Sequence, residues 1–381
     1  KIWNMILIIA TFTLSILGTF ITRSGILGSV HSFSKSNIGP AFLFFIVVTL
    51  VFSLILLFSR QSLLASKPQK AGIFCKENSF LMNNIIFVVM AFTVLYGTVF
   101  PLLAEALANK KLSIQAPFFN TIMTPLAILM ILLMGITHIM GWKKTSYEMI
   151  VKNSLVPLII AVVVMTISVF SFETSWQFLL ISGTTVFAGC IVIVEFYRSF
   201  KINRSVKGKA KSGLMKFLGT VWRDKRRRGG LIIHFGIVLM AVGVCGNFFN
   251  QETSFTLYPG EQKTMGDYTL TFNKVRFFKS GNSEHRGIEL DVLDKGRNIG
   301  KLVPVKAYYP TSPQPMTEVA IRRSFIEDLY ISLSSINEDG SATIIVFINP
   351  MVNFVWASMV FFFIGILFSL SYKPIQLRKL S

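Results

Sequence analysis

The 381-residue chain is predicted to be an α-helical polytopic membrane protein of about eight transmembrane helices with one extracytoplasmic small β-barrel or sandwich domain. Three observations predict this. Fifty-two per cent of the residues are hydrophobic and only 15% are charged, against about a quarter charged in an ordinary soluble domain. The apolar residues come in blocks near the roughly 20 residues that a helix needs to cross about 30 Å of hydrocarbon. One long stretch, 251–349, has no such block and shows strand-like alternation instead.

The blocks are Ile2–Ile21, Ala41–Phe58, Asn84–Leu103, Phe119–Trp142, Val156–Phe170, Gln177–Tyr197, Gly229–Phe249 and Met351–Ser371, the fifth being the shortest. They divide the chain into a membrane domain of seven spans at 1–250, a β domain at 251–349, and a last span with a basic tail at 350–381. The chain opens on Lys1 and runs straight into a span, without the basic, apolar and cleavage regions of a signal peptide. A further N-terminal portion is therefore expected, in the same polypeptide or encoded separately.

The net charge of +20 is unevenly spread. Residues 198–228 hold 12 Lys/Arg against one acid, Asp224. Arg60–Lys76, Lys143–Lys152 and Lys373–Lys379 are also basic, and eightfold threading puts all four stretches on one side. The other side receives Thr22–Pro40, Pro101–Pro117, Ser171–Trp176 and the β domain, which carries 11 Lys/Arg against 12 Asp/Glu. This is the positive-inside pattern. It predicts both termini on the cytoplasmic or matrix side of a bacterial or mitochondrial inner membrane, with the β domain on the outer side. Topology alone accounts for the basic charge; membrane lipid is expected as a partner and nucleic acid is not.

Within the β domain, Thr269–Val275 alternates, as do Ile288, Leu290 and Val292. Gly260, Gly281, Gly287, Gly300 and Gly340 read as turns, which gives about seven short strands. Tyr308–Met316 holds three prolines, which cannot supply ladder donors, and reads as a loop. Between the first two spans, Ile26, Leu27, Val30 and Phe33 are spaced as on a short interfacial helix. Lys201–Arg228 reads as an amphipathic, surface-lying element. Cys75, Cys190 and Cys245 lie outside the β domain, so no disulfide staples it.

Chemistry must be sought among few residues. No GxSxG, HExxH or phosphate loop occurs, and no catalytic nucleophile is expected. Transporters coupled to ions usually carry mid-membrane acids, and the spans lack them. His234 lies inside the seventh block, where an ionisable side chain is costly and points to function. Imidazole is a common haem-iron ligand. The glycines around it, at 229, 230, 236, 243 and 246, would admit either a neighbouring helix or a flat macrocycle. An interhelical hydrogen bond would account for His234 as well. His31 sits in the first outer loop among Ser29, Ser32 and Ser34, where a histidine is often merely solvated. His138, beside Trp142, Lys143 and Lys144, reads as structural, and His285 as part of a polar turn.

The run LGTFITRSGILGSVHSFS at 17–34 closely resembles a signature of the CcmF-type cytochrome c maturation proteins, the haem lyase family. Matches follow in the same order: GTVFPLL at 97–103, APFFNTIMTPLA at 116–127, GGLIIHFGIVLMAVGV at 229–244, YTLTFNKV at 268–275, AYYPTSPQPMTEVAI at 307–321, DLYISL at 328–333, and NPMVNFVWASMVFFFIGILFSL at 349–370. The resemblance covers the whole chain.

The resemblance implies a subunit or C-terminal part of a cytochrome c haem lyase. Such a protein receives haem from a haem chaperone and promotes its thioether attachment to a CxxCH apocytochrome c, which a thiol-reducing subunit supplies reduced. It implies that His31 is one of two outer histidines ligating the arriving haem, within a haem-handling loop that includes Arg23, Ser24, Gly25 and Ser29. It implies that His234 is one of two membrane histidines ligating a resident b-type haem. Both would bind haem iron. The family's tryptophan-rich WWD segment and the partner histidines lie upstream of Lys1 in the family, so a WWD-bearing segment or subunit is an expected partner. His138 stands where the family more often has proline, and no role is carried onto it. The competing reading is a membrane permease or exporter of haem or another amphipathic substrate.

Overall fold

A computed structural model describes residues 1–24, 38–64, 72–110, 112–171, 175–204, 225–310 and 314–370, with side chains of 200–204 left aside. Its helices are α1 (Ile2–Arg23), α2 (Gly39–Ser59), the single turn α3 (Gln61–Leu64), α4 (Lys76–Ala108), α5 (Ala116–Ile139), α6 (Tyr147–Ser171), α7 (Trp176–Arg204), α8 (Lys225–Cys245) and α9 (Val352–Leu370). All except α3 contain a stretch long and apolar enough to cross a bilayer, eight among the described residues, and they fall on the eight predicted blocks. The fifth is not short: α6 has 25 residues, because Tyr147–Leu155 continues the helix with mixed polarity before Val156. The interfacial helix expected between α1 and α2 falls outside the described residues. Of the basic element expected at Lys201–Arg228, the described ends belong to α7 and α8.

Two compact units emerge, residues 1–127 with 141–145, and residues 128–140 with 146–381. In the first, Phe12 meets Phe45 edge-on at 6.4 Å, and Gly39 lies against Ser24, so α1 ends where α2 begins. Cys75 caps α4, its Sγ accepting the Asn78 N–H at 3.5 Å. Backbone bonds from Gly72 to Lys143, Lys76 to Gly141 and Thr145 to Phe74 clasp the approach to α4.

In the second unit, residues 251–350 form ten strands: β1 (Gln251–Leu257), β2 (Gln262–Met265), β3 (Tyr268–Ser280), β4 (Ser283–Asp294), β5 (Arg297–Leu302), β6 (Val305–Tyr308), β7 (Met316–Glu318), β8 (Ala320–Arg323), β9 (Glu327–Ile336) and β10 (Ala342–Pro350). One sheet runs β1-β10-β9-β8; the other runs β2-β3-β4-β6-β7, with β5 also on β4. The strands exceed the predicted seven because β5 to β8 are too short to show a period. The core is the alternating set the sequence displays, with Leu270, Phe272, Ile288 and Leu290 facing Leu329, Ile331, Leu333, Ile344 and Val346, all fully buried. Each such side chain contributes about 1.5–3 kcal/mol by leaving water. Gly260, Gly281, Gly300 and Gly340 have positive φ, as turn glycines do. Gly287 does not turn the chain: it lies inside β4, where Val305 and the Pro304 carbonyl come too close for a Cβ. On the flank, Glu289 bonds Lys301 at 2.5 Å and Arg276 at 2.6 Å. The Lys301 hydrogen bond, followed by the Arg276 charge, holds its carboxyl below the usual carboxylate range.

The sandwich is continuous with two spans. After α8, one 3₁₀ turn (Gly246–Phe249) leads into β1, and β10 leads through Met351, at φ 62°, into α9. β1 and β10 are paired neighbours, Gln251 opposite Ile348 through Leu257 opposite Ala342. Below them α8 and α9 touch along Gly229, Gly236 and Gly243, a seven-residue repeat. A Cβ on Gly243 would stand 2.5 Å from Val355 and one on Gly236 2.7 Å from Phe362, while Gly229 faces Ser369 and Gly365. The junction is tied by Met351 N–H to the Ile326 carbonyl at 2.6 Å, by Asn353 Nδ2 to Ser324 O and Asp328, and by Arg323 over the Trp356 ring at 5.9 Å.

Two outcomes are expected. Gly243→Leu should lower stability by about 1–3 kcal/mol through overpacking, read by thermal unfolding of the whole chain in detergent, whereas Gly230→Ala, whose Cβ meets nothing within 4 Å, should leave it unchanged. Because the Glu289 carboxyl is held low, its contribution is fully present above the ordinary carboxylate pKa and is lost as pH falls through the lowered value. Glu289→Gln should therefore melt earlier than the parent chain at neutral pH, with the gap closing in acid; a gap independent of pH would refute the ion cluster.

Candidate functional site

The helix α8 has two working faces. Gly229, Gly236 and Gly243 give one face to α9. His234 lies five residues beyond Gly229, about 140° around the helix at 100° per residue, on the face that carries Ala241 and Cys245. That face packs on Ile131 of α5 and on Phe178, Ile181 and Ala188 of α7. Small residues draw these three helices together: a Cβ on Gly135 of α5 would lie 3.1 Å from the Ala188 backbone, and one on Gly189 of α7 3.1 Å from Val238 of α8. Of the glycines within α8, those at 229, 236 and 243 therefore serve helix contact, and one is an exception. Gly230, one turn before His234 on nearly the same face, has open space at its Cβ.

His234 Nδ1 is 2.6 Å from the Gly230 carbonyl. A carbonyl only accepts, so Nδ1 carries the proton and Nε2 is the nitrogen with a lone pair to offer. This is the second-shell arrangement of metal-ligating histidines, in which one ring nitrogen is tied to an acceptor and the other faces the metal. The oriented imidazole therefore fits one axial ligand for a haem, and no side chain crowds the Gly230 Cβ one turn away.

His138, read as structural from sequence, stands against His234. The ring centres are 4.5 Å apart and the planes cross at 84°, an edge-to-face contact. His138 Nδ1 is likewise 2.7 Å from its own preceding-turn carbonyl, that of Met134. Nothing in the sequence pairs two histidines 96 positions apart on different helices; only their placement on small-residue faces near Gly135 and Gly230 hinted at it. Toward the end of the bundle away from the sandwich, Glu195 of α7 bonds Arg198 at 2.8 Å and Arg227 at 3.2 Å, and Arg198 also reaches Asn153 of α6. Buried Arg228 donates to the Ser199 carbonyl at 3.0 Å. These contacts fix the ends of α6, α7 and α8 against one another.

The other sequence candidates are placed as follows. Arg23 ends α1, and Ser24 follows it with Oγ donating to the Ile21 carbonyl at 3.3 Å. Gly25, Ser29 and His31 lie outside the described residues, between Ser24 and Gly39, which are in contact. His285 is not in a turn. It sits buried in β4, stacked on Phe278 at 4.8 Å, with Nε2 2.8 Å from Ser283 Oγ and Nδ1 3.6 Å from Glu318. The Ser–His–Glu order invites a catalytic reading, but Ser283 Oγ donates its hydrogen to the Ser280 carbonyl and so accepts from His285. It is a structural tie. Among the described residues, no three His, Cys, Asp or Glu side chains converge on a metal position.

A bundle of bilayer-length helices with a histidine between them, continuous with an antiparallel sandwich, defines a polytopic membrane protein. Residues 248–350 match the family model described as the CcmF C-terminal beta-sandwich. The chain is 30% identical over 359 residues to the cytochrome c-type biogenesis protein CcmF of Pseudomonas fluorescens, covering 93% of this chain and 52% of that protein. It is 27% identical over 359 residues to the Escherichia coli K12 protein of the same description, covering 94% and 53%. A solved structure described as cytochrome c heme lyase CcmF superposes with a TM-score of 0.75 at 24% identity, over 98% of this chain and 55% of that one, which speaks for the fold. The chain is thus similar over nearly all of its length to CcmF-type cytochrome c maturation proteins, and it spans about half the length of the curated relatives it matches.

Proposed function

We propose that the chain is a subunit, or the C-terminal part, of a cytochrome c haem lyase, and that His234 is an axial ligand of a resident haem within its membrane bundle. Two observations support this: His234 Nδ1 is committed to the Gly230 carbonyl, and the Gly230 Cβ position one turn before it is open. A haem bound there supplies one-electron redox chemistry at a potential set by its axial ligands and surroundings. The chain's own share is to present one oriented, neutral imidazole and to exclude water around it with the apolar faces of α5, α7 and α8.

The basic stretches support a topology with both chain ends on the cytoplasmic or matrix side and the sandwich outside, with which the eight spans are compatible. The loop of His31 then opens on the outer side. There His31 takes haem, as substrate, from a haem chaperone, with Arg23 and Ser24 at the loop's start and Gly25 and Ser29 within it. Attachment adds each S–H of a CxxCH apocytochrome across a haem vinyl C=C. Carbon–sulfur and carbon–hydrogen bonds form, no group leaves, and no protein nucleophile is consumed. The thiols must arrive reduced, which calls for a thiol-reducing partner. A WWD-bearing segment or subunit supplies the remaining haem contacts.

His234→Ala should abolish the b-type absorption spectrum of the complex isolated from its native membranes; an unchanged spectrum refutes the ligand. Gly230→Leu should leave the chain folded yet lower haem per polypeptide, because the side chain occupies the space beside the ring. His31→Ala should leave the resident spectrum intact and block holocytochrome formation, scored by haem-stained gels of c-type cytochromes; wild-type yield would remove His31 from the pathway.

A further inference from the structure

We propose that His138 is a positioning residue for His234, a buttress that sets the plane in which the His234 imidazole faces the haem. This rests on the reading of His234 as a haem ligand. Four observations lead to it. His138 and His234 come from different helices, α5 and α8, yet their rings meet edge-to-face at 4.5 Å and 84°, the arrangement aromatic rings prefer. Each ring is separately pinned through Nδ1, to Met134 O at 2.7 Å and to Gly230 O at 2.6 Å. The helices cannot drift apart at this level, since Gly135 on Ala188 and Gly189 on Val238 hold α5, α7 and α8 at close range. A hydrogen bond to Nδ1 alone still lets an imidazole swing about that bond; a second ring against it removes that freedom.

The same distance excludes the obvious alternative. With iron about 2 Å from each ligating nitrogen, two imidazoles on opposite faces of one haem iron need ring centres roughly 6 Å apart, with the macrocycle between them. At 4.5 Å there is no room for a macrocycle between His138 and His234. His138 is therefore not the opposite axial ligand. It acts on the iron through His234, as outer-shell partners of ligating histidines do.

The test compares two substitutions that both fill the site. His138→Leu keeps apolar bulk and removes the ring; His138→Phe keeps a ring edge and removes the nitrogens. Haem content, haem dissociation and the low-spin electron paramagnetic resonance spectrum are measured on the complex isolated from native membranes, with His234→Ala in parallel. His138→Leu is expected to weaken haem retention about 10-fold or more and to shift the low-spin g values, and His138→Phe to restore both. The proposal is overturned if His138→Leu matches the parent chain in retention and g values. It is equally overturned if both variants lose the low-spin signal as completely as His234→Ala, which would make His138 a ligand. Retention of haem by His234→Ala would instead overturn the reading beneath it, and that result is visible without either His138 variant.

Discussion

The structure turns on the seam between α8 and α9. Two helices that carry glycine at 229, 236, 243 and 365 can bring their backbones together without a side chain between them. The seam does not stop at the end of the helices. It passes through the Gly246 turn and Met351 into β1 and β10, which pair along their whole overlap. Two adjacent helices thus become two adjacent strands, and the sandwich inherits its attachment from the bundle. The ties of Met351 to Ile326 and of Asn353 to Ser324 and Asp328 add the β8–β9 corner to the same junction.

Devoting one face of α8 to this seam decides what the opposite face can do. At 100° per residue the glycine face and the His234 face cannot coincide, so His234 is directed away from α9 and toward α5 and α7. Small residues act there too, but in single contacts, at Gly135 and Gly189. Gly230, one turn before His234, meets no side chain at its Cβ. The charged residues gather beyond it, Glu195 with Arg198 and Arg227, and Arg228 with Ser199. The polar groups in the membrane-spanning part are therefore sorted along α8: an ion network at one end, two histidines next, and apolar contact from Val238 onward.

Much of this was legible in the chain. Eight spans follow from length and hydropathy alone, because a bilayer imposes a length that no soluble helix must meet. The long strands β3 and β4 showed their alternation, and Leu270, Ile288, Leu290 and Val292 are core as that pattern requires. The short strands β5 to β8 were illegible, since three to six residues do not establish a period. Gly287 was misread as a turn because glycine has two uses, positive φ and close approach, and a sequence does not distinguish them. The glycines of α8 posed the same ambiguity between helix and macrocycle, and all but Gly230 went to helix packing. His285 was taken for a turn residue because its neighbours are polar, although β4 buries it beneath Phe278. His138 was the largest omission: a contact between helices far apart in the chain leaves no local trace, and His138 lies one residue from the end of α5, where a polar residue needs no explanation.

If His234 holds a haem as proposed, His138, in edge-to-face contact with it at 4.5 Å, would stand against that ligand and would not supply a second one. Among the described residues of the membrane bundle, His138 and His234 are the only histidines. The family resemblance locates the opposite histidine in the portion of the relatives that this chain does not span. On that reading the chain supplies one ligand held rigidly in advance, by the Gly230 carbonyl and by a second ring, and the other ligand arrives with the remaining portion. A ligand whose orientation is already set loses little freedom when the iron is bound, so the second portion can complete the site without having to organise it.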